Sequence, residues 1–419
     1  MMRFHLKKLR IAKENTLKNF FSIIIATVFT LGPIGIVSAK PDNVDGINVP
    51  EGRIPQEIKN NRYPRTYYPN TEKLGKAEMR ITALGTGMPT QSPSNASAAF
   101  LVELGNGDSF LFDLGAGSTD RLAGLEPDYS KLDKVFISHL HTDHAADLAT
   151  LWVAGWISGR YTPLHVYGPS SSSPELGIKV HVDHVRGAWA WDVTSRAGTL
   201  PNAGGEIVAH EFDFSKTAVI YNENGVKVTS YPAIHIRDGS VGYRLNWNGL
   251  SFVFGGDSTP TKWFLKEAKG ADVVVHEAFF TPEQWMEIAG FPYKLAYWVT
   301  TIIHTPPEGF GKLMSMVEPR LAVAYHYWNH RDIEFEIHEG IRKTYDGPLA
   351  LAADLTVINV TKDHIEVREV TINHESWAQG TSKEWDTAPR SDPATGLMSE
   401  WLRKGELKGV NPPPTQPIN

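Results

Sequence analysis

The 419-residue chain predicts an α/β fold in which two mixed sheets are covered by helices. Three observations carry that expectation. Short apolar runs of strand character fill the first part of the body, and later runs alternate with helical segments. Polar residues also recur where the strands end, as they do when strand ends gather at one edge of a sheet.

The expected strands begin after Met79 with Arg80–Leu84, Ala98–Leu104, Ser109–Leu114 and Lys134–Ser138. Val226–Tyr231, Val241–Trp247 and Leu250–Gly255 follow, with Asn248-Gly249 as a tight turn between the last two. Ala271–His276 precedes a helix near Pro282–Ala289, and Arg320–Tyr325 precedes one near Asp332–Thr344. Two runs, Ala350–Val360 and Ile365–Val370, close the body.

The ends read differently. Arg3, Lys7, Lys8, Arg10, Lys13 and Lys18 lead into an apolar run from Phe20 to Val37, followed by the small-residue pattern Val37-Ser38-Ala39. This is the layout of a secretory signal peptide over residues 1–39, so the expected location is periplasmic or secreted. Gly32, Pro33 and Gly35 interrupt the run and argue against a retained anchor, leaving no membrane contact once the leader is removed. Residues 40–76 carry five prolines and read as an extended lead-in to a domain over residues 77–372. Residues 373–419 form a polar tail with Trp377, Trp385, Trp401 and Pro412-Pro413-Pro414.

Composition narrows the chemistry. Hydrophobic content of 41% with 21% charged residues is enough to build a core, which excludes global disorder. Cysteine is absent, so disulfides, thiolate metal sites and cysteine nucleophiles are all excluded. Any metal must be held by His, Asp or Glu. Removing the leader takes away six basic residues and one acid, and the formal charge moves from −6 to −11 with 35 basic against 46 acidic residues. That balance disfavours a nucleic-acid partner and favours a small-molecule substrate; a homodimer is left open.

The strongest local signal is Ser138-His139-Leu140-His141-Thr142-Asp143-His144, four candidate ligands between an apolar strand and an apolar helix from Ala146. Side chains at i, i+2, i+4 and i+5 of a strand end can converge on one ion, and His with Asp suits zinc or manganese. His235, Asp257, His276-Glu277, His304 and His326 sit at further strand ends or before a helix. Glycines in Phe254-Gly255-Gly256-Asp257 allow close backbone approach.

In that order, His139, His141, Asp143, His144, His235, Asp257 and His326 resemble the ligand set of metallo-β-lactamase-fold hydrolases. The closer likeness is to the branch of ribonuclease Z and the zinc arylsulfatases. Leu84-Gly85-Thr86-Gly87, Phe112-Asp113-Leu114-Gly115-Ala116-Gly117, Gly256-Asp257-Ser258-Thr259-Pro260, His276-Glu277-Ala278 and the pairing of His304 with His326 share in it. Gly87-Met88-Pro89-Thr90-Gln91-Ser92-Pro93 is similar to an exported subgroup named for a guanitoxin-biosynthesis metallo-hydrolase. The resemblance implies an αββα sandwich and two Zn²⁺ per chain, with Mn²⁺ or iron as alternatives. One ion would take His139, His141 and His235, the other Asp143, His144 and His326, and Asp257 would bridge them. Two such ions, roughly 3.5–4 Å apart, share a hydroxide that attacks an ester. By the same analogy the catalytic side chains are Asp143 and His304, the latter protonating the leaving oxygen, while His276 and Glu277 orient the ligands from behind.

The sequence departs from ribonuclease Z where that family carries a basic, glycine-rich arm that holds tRNA. Here Trp152 to Thr229 carries Trp152, Trp156, Trp189 and Trp191, expected to complete a core or wall a small-molecule pocket. His181 and His184 in that stretch, and His330, read as solvated or helical faces rather than ligands. The function expected is cleavage of a phosphodiester or aryl sulfate. A lactone or lactam hydrolase and a non-catalytic metal-binding protein are the competing readings.

Overall fold

The computed structural model describes residues 43–44, 47–48, 64–378, 387–391 and 398–416. The expected leader and Trp385 lie outside the described residues. Asn43–Val44 and Ile47–Asn48 pair as a short antiparallel hairpin. All other described elements belong to the unit Pro64–Asn419.

In chain order the strands of that unit are β1 Thr66–Tyr67, β2 Met79–Gly85, β3 Ala99–Leu104, β4 Ser109–Phe112, β5 Lys134–Phe136, β6 Leu164–Pro169, β7 Ile207–Phe212 and β8 Ala218–Glu223. They continue as β9 Val226–Pro232, β10 Val241–Trp247, β11 Leu250–Phe254, β12 Val273–Glu277, β13 Leu321–Tyr325, β14 Leu349–Leu351, β15 Thr356–Val360 and β16 Ile365–Val370. One sheet has the order β1-β16-β15-β2-β3-β4-β5-β6-β7, the other β8-β9-β10-β11-β12-β13-β14.

Period-two patterning builds the layers. Phe110 and Phe112 of β4 point with Phe136 into a core shared with Phe252 and Phe254 of β11, Val273 and Val275 of β12, and Tyr325 of β13. The alternate residues face outward. Leu111 and Val135 pack under helices Leu148–Ile157 and Ile178–Ala188, through Leu151, Trp152, Ile178 and Val182. On the other side Val253, Val274, Ala322 and Ala324 meet Phe310, Leu313 and Met314 of helix Pro307–Val317. The result is helix, sheet, sheet, helix, as expected from the sequence.

Strand direction then positions the site. Strands β4 to β7 run parallel, as do β11 to β14. β9 is antiparallel to β10 and β10 to β11, so β9 runs with β11. The residues following β5, β9, β11 and β13 therefore emerge at a common edge.

Three features differ from the sequence reading. The run Ala350–Val360 is not one strand: β14 ends in one sheet and β15 begins in the other, with Leu355 at φ 68° in the turn between them. Strands β6, β7 and β8 are absent from the sequence reading: Pro169 and the histidines His165 and His210 interrupt the apolar patterning of β6 and β7, and β8 is mostly exposed. Trp152 and Trp156 are buried, whereas Trp189 and Trp191 are exposed, and none of the four lines the cavity beside His139. Near the end of the chain, Pro389 and Ser391 hydrogen-bond Asn202.

Candidate metal centre

The loop after β5 is anchored before it reaches its histidines. Asp113, at φ 58°, follows β4 and turns its carboxylate toward that loop. Its Oδ1 accepts from the Ser138 backbone N–H at 2.6 Å, its Oδ2 from the Ser138 hydroxyl at 2.7 Å, and Oδ2 also from His144 Nδ1 at 2.6 Å. Gly115 is obligatory nearby, since a Cβ there would lie 2.1 Å from the Asp143 carbonyl oxygen. Asp143 and His144 ride on the short helix Thr142–Ala145, both buried, while His139 and His141 precede it.

The opposite wall comes from the second sheet. Asp257 sits beyond β11 where Gly256 has φ 60°, and a Cβ on Gly255 would lie 2.7 Å from His276 Cδ2. A side chain on either glycine would force the segment that carries Asp257 to shift, since a Cβ on Gly256 would lie 2.9 Å from Ser138 Cβ. His235 follows β9, and His326 follows β13 at φ 75°, its N–H held by the Thr86 carbonyl at 2.9 Å.

These side chains form two quartets. His139, His141, His235 and Asp257 make one; Asp143, His144, Asp257 and His326 make the other; in each, one potential ligand atom per residue lies within 4.8 Å of the rest. His139 Nε2 and His235 Nε2 are 3.0 and 3.3 Å from His141 Nδ1, and 3.9 and 4.0 Å from Asp257 Oδ2. His326 Nε2 is 3.2 Å from Asp143 Oδ2 and 3.3 Å from Asp257 Oδ2; His144 Nε2 is 3.2 Å from Asp257 Oδ1.

Hydrogen bonds behind the ring set the orientation of three imidazoles. His144 gives Nδ1–H to Asp113, His235 gives Nδ1–H to the Ile303 carbonyl at 2.8 Å, and His139 gives Nδ1–H to the Ser138 hydroxyl at 3.0 Å. Each is left with Nε2 turned to the cluster, the arrangement that suits a metal-ligating histidine. Burial lowers the pKa of His139, His141 and His235, the last to about 4, so these rings are neutral and can donate their lone pairs. His144 is the exception: burial works against its charge, but Asp257, Asp143 and Asp113 together hold its pKa well above the ordinary value.

A divalent ion fits these residues. Asp143 Oδ1, His144 Nε2 and both Asp257 carboxylate oxygens are buried and lack a hydrogen-bond partner, an expensive arrangement unless a cation satisfies them.

Glu277 and His304 lie against the second quartet. His304 Nδ1 donates to Glu277 Oε2 at 2.6 Å, Glu277 Oε1 accepts from the Ser258 N–H at 2.7 Å, and the His304 ring stacks on Phe279. Burial lowers His304 to about 4. His276 is not brought together with the ligands: its ring packs against Phe264 and Phe310 on the helix side of the second sheet.

Sequence reasoning missed the parts played by Asp113 and Phe279. Asp113 was visible within the Phe112–Gly117 block, but its partner lies 31 residues away. His181 and His184 lie on helix Ile178–Ala188 and outside the quartets, as expected. Both face a cavity of about 440 Å³ that opens beside His139, His141 and His235. His330 stays out of the quartets and faces Trp328 at the start of helix Arg331–Arg342.

The sequence matches the β-lactamase superfamily domain over residues 110–327. Ribonuclease Z of Mycobacterium marinum is 31% identical over 204 residues, covering 47% of this chain and 70% of that one. Ribonuclease Z of Mycobacterium bovis is 30% identical over 207 residues, covering 47% and 69%. Among solved structures, the metallo-β-lactamase-fold protein YhfI of Bacillus subtilis superposes with a TM-score of 0.52 at 18% identity, over 68% of this chain and all of that one. The short form of human tRNase Z gives 0.50 at 19%, over 67% and 98%. The matched span begins within β4 and ends just past His326, taking in the strand ends on which both quartets are built. The chain thus belongs to the metallo-β-lactamase superfamily, on its ribonuclease Z-like branch, and is a metal-dependent hydrolase.

Proposed function

We propose that this hydrolase is exported, holds two zinc ions, and cleaves a small-molecule ester, either a phosphodiester or an aryl sulfate. The observation that carries the reading is Asp257, the residue that belongs to both quartets. Oδ1 approaches His144, while Oδ2 approaches His139, His235 and His326. One buried carboxylate shared between two ligand sets is what a pair of adjacent ions requires. Mn²⁺ or iron would suit the same donors. The basic, then apolar, then small-residue pattern of residues 1–39 supports export, and no described helix is long and apolar enough to cross a membrane.

When bound, the ions supply an activated water and polarise the ester oxygen. The chain's own residues do the rest. His304, held by Glu277 and stacked on Phe279, is neutral in the free site; an anionic ester beside Nε2 favours its protonation, and the ring then gives that proton to the departing oxygen. Asp143 turns Oδ2 to His326 and leaves Oδ1 to accept a hydrogen bond from the attacking water. A small substrate is supported by the bounded cavity and by the acidic charge of the chain without its leader. The test is metal analysis of protein prepared without added metal, then turnover of phosphodiester, aryl sulfate, acyl-lactone and nitrocefin substrates. Two ions per chain with ester cleavage is the expected result. Metal-replete protein that opens lactones or lactams and leaves esters intact overturns it.

A further inference from the structure

The cavity beside the cluster has a definite relation to the proposed proton donor. It is bounded by His139, His141 and His235, but not by His304, Glu277 or His326. Its apolar walls are Leu140 between two ligands, Pro169 at the end of β6, Leu176 before helix Ile178–Ala188, and Ile236 after His235, and they stand beside the polar groups of Glu175, Arg237 and Asp238. Leu176 and Ile236 are 43% and 48% exposed, so both present apolar surface to an incoming group. A volume of about 440 Å³ suits one small organic group and is far too small for a folded nucleic acid.

A group seated there is not the group that leaves past His304. An aryl sulfate carries one organic substituent, which is the leaving group itself, and has nothing to place in the cavity. A phosphodiester carries two. We infer that this cavity is the subsite for the substituent that stays on phosphorus, that this substituent is apolar and about the size of an aromatic ring, and that the substrate is therefore a diester. The inference rests on the ester-hydrolase reading above. In the reaction the water oxygen bonds to phosphorus and the bond to the leaving oxygen breaks, with its electron pair going to that oxygen. A proton ends on the leaving oxygen, and the retained group departs as a phosphate monoester.

The test holds the leaving group constant. Methyl 4-nitrophenyl phosphate and phenyl 4-nitrophenyl phosphate differ only in the retained substituent. Burying a ring in place of a methyl group is expected to raise kcat/KM by about 30-fold. Leu176→Glu, a change at an exposed position outside the quartets, should bring that ratio close to one; Leu176→Ala should reduce it in part. A ratio near one in the unaltered protein, or one insensitive to Leu176→Glu, overturns the proposal. Calorimetric binding of phenylphosphonate against methylphosphonate reads the subsite without turnover. Tighter phenyl binding that is lost in Leu176→Glu upholds the subsite even if every ester proves inert, in which case only the ester-hydrolase reading fails. Equal binding of the two phosphonates overturns the subsite itself.

Discussion

The imidazole of His304 lies almost parallel to the ring of Phe279, with centroids 4.3 Å apart and planes 9° apart. The stack and the bond from Nδ1 to Glu277 fix the ring in two directions, leaving Nε2 as the only nitrogen free to meet substrate. His304→Ala is expected to lower kcat by about 10²–10³-fold with metal content unchanged, the range for loss of a positioned acid. The loss should grow as the leaving group becomes more basic. A uniform loss across leaving groups would mean that the ring positions substrate and does not deliver a proton.

Asp113 touches no substrate and completes no quartet, yet it receives the His144 Nδ1 proton at 2.6 Å and pins Ser138 twice. Asp113→Ala should weaken metal binding by about 10–100-fold, the usual cost of removing a carboxylate behind a ligating histidine. Competition against a chromophoric chelator measures this directly. The affected ion should be the one bound by His144.

Metal removal should lower stability as well as abolish turnover. The unpartnered oxygens of Asp143 and Asp257 are buried whether or not an ion is present, and a ligand that binds only the folded state stabilises it by mass action. Chelator-treated protein should melt at lower temperature, and titrated zinc should restore Tm with a break at two equivalents. Asp257→Ala should remove that break.

Away from the metals, His165 Nδ1 and His210 Nε2 are 2.9 Å apart, and the His210 ring stacks on Tyr167. Burial, reinforced by His165, lowers the pKa of His210. The unfolded chain therefore takes up a proton at His210 before the folded one does, and stability must fall as pH drops below the ordinary histidine range. Denaturant midpoints from pH 8 to 5.5 should decline more steeply for the unaltered protein than for His210→Gln. Parallel declines would assign the pH dependence to groups other than His210.

Gly255 leaves no room for a side chain, because its Cβ would meet the His276 ring at 2.7 Å. Gly255→Ala must displace either that ring or the segment carrying Asp257, at an expected cost of about 1–3 kcal/mol. Chemical denaturation measures the cost, and metal titration shows whether Asp257 has moved.

The quartets were legible because their residues sit at strand ends in runs that packing alone would seldom produce: a histidine-rich loop after Val135–Ile137, and an aspartate behind two glycines. What could not be read depends on distance along the chain. Asp113 acts on a residue 31 positions later, and Phe279 matters only because His304 arrives over it. His181 and His184 look like an ordinary helical face until the loop after His235 closes the other side of their cavity. The break inside Ala350–Val360 carries no glycine; Leu355 takes the left-handed backbone instead, so nothing local announced that the chain changes sheets there. His276 alternates with Val275 along β12, and period two sends its ring to the helix layer.

The shared Asp257 also governs the order of assembly. His139, His141, Asp143 and His144 follow a strand of the first sheet, while His235, Asp257 and His326 follow strands of the second, so neither sheet alone carries a complete quartet. Tight metal capture must then wait until the two sheets have closed on each other. Ions held there would act as late rivets across the seam, and a chain cut between β7 and β8 would take up metal only when its two pieces found each other again.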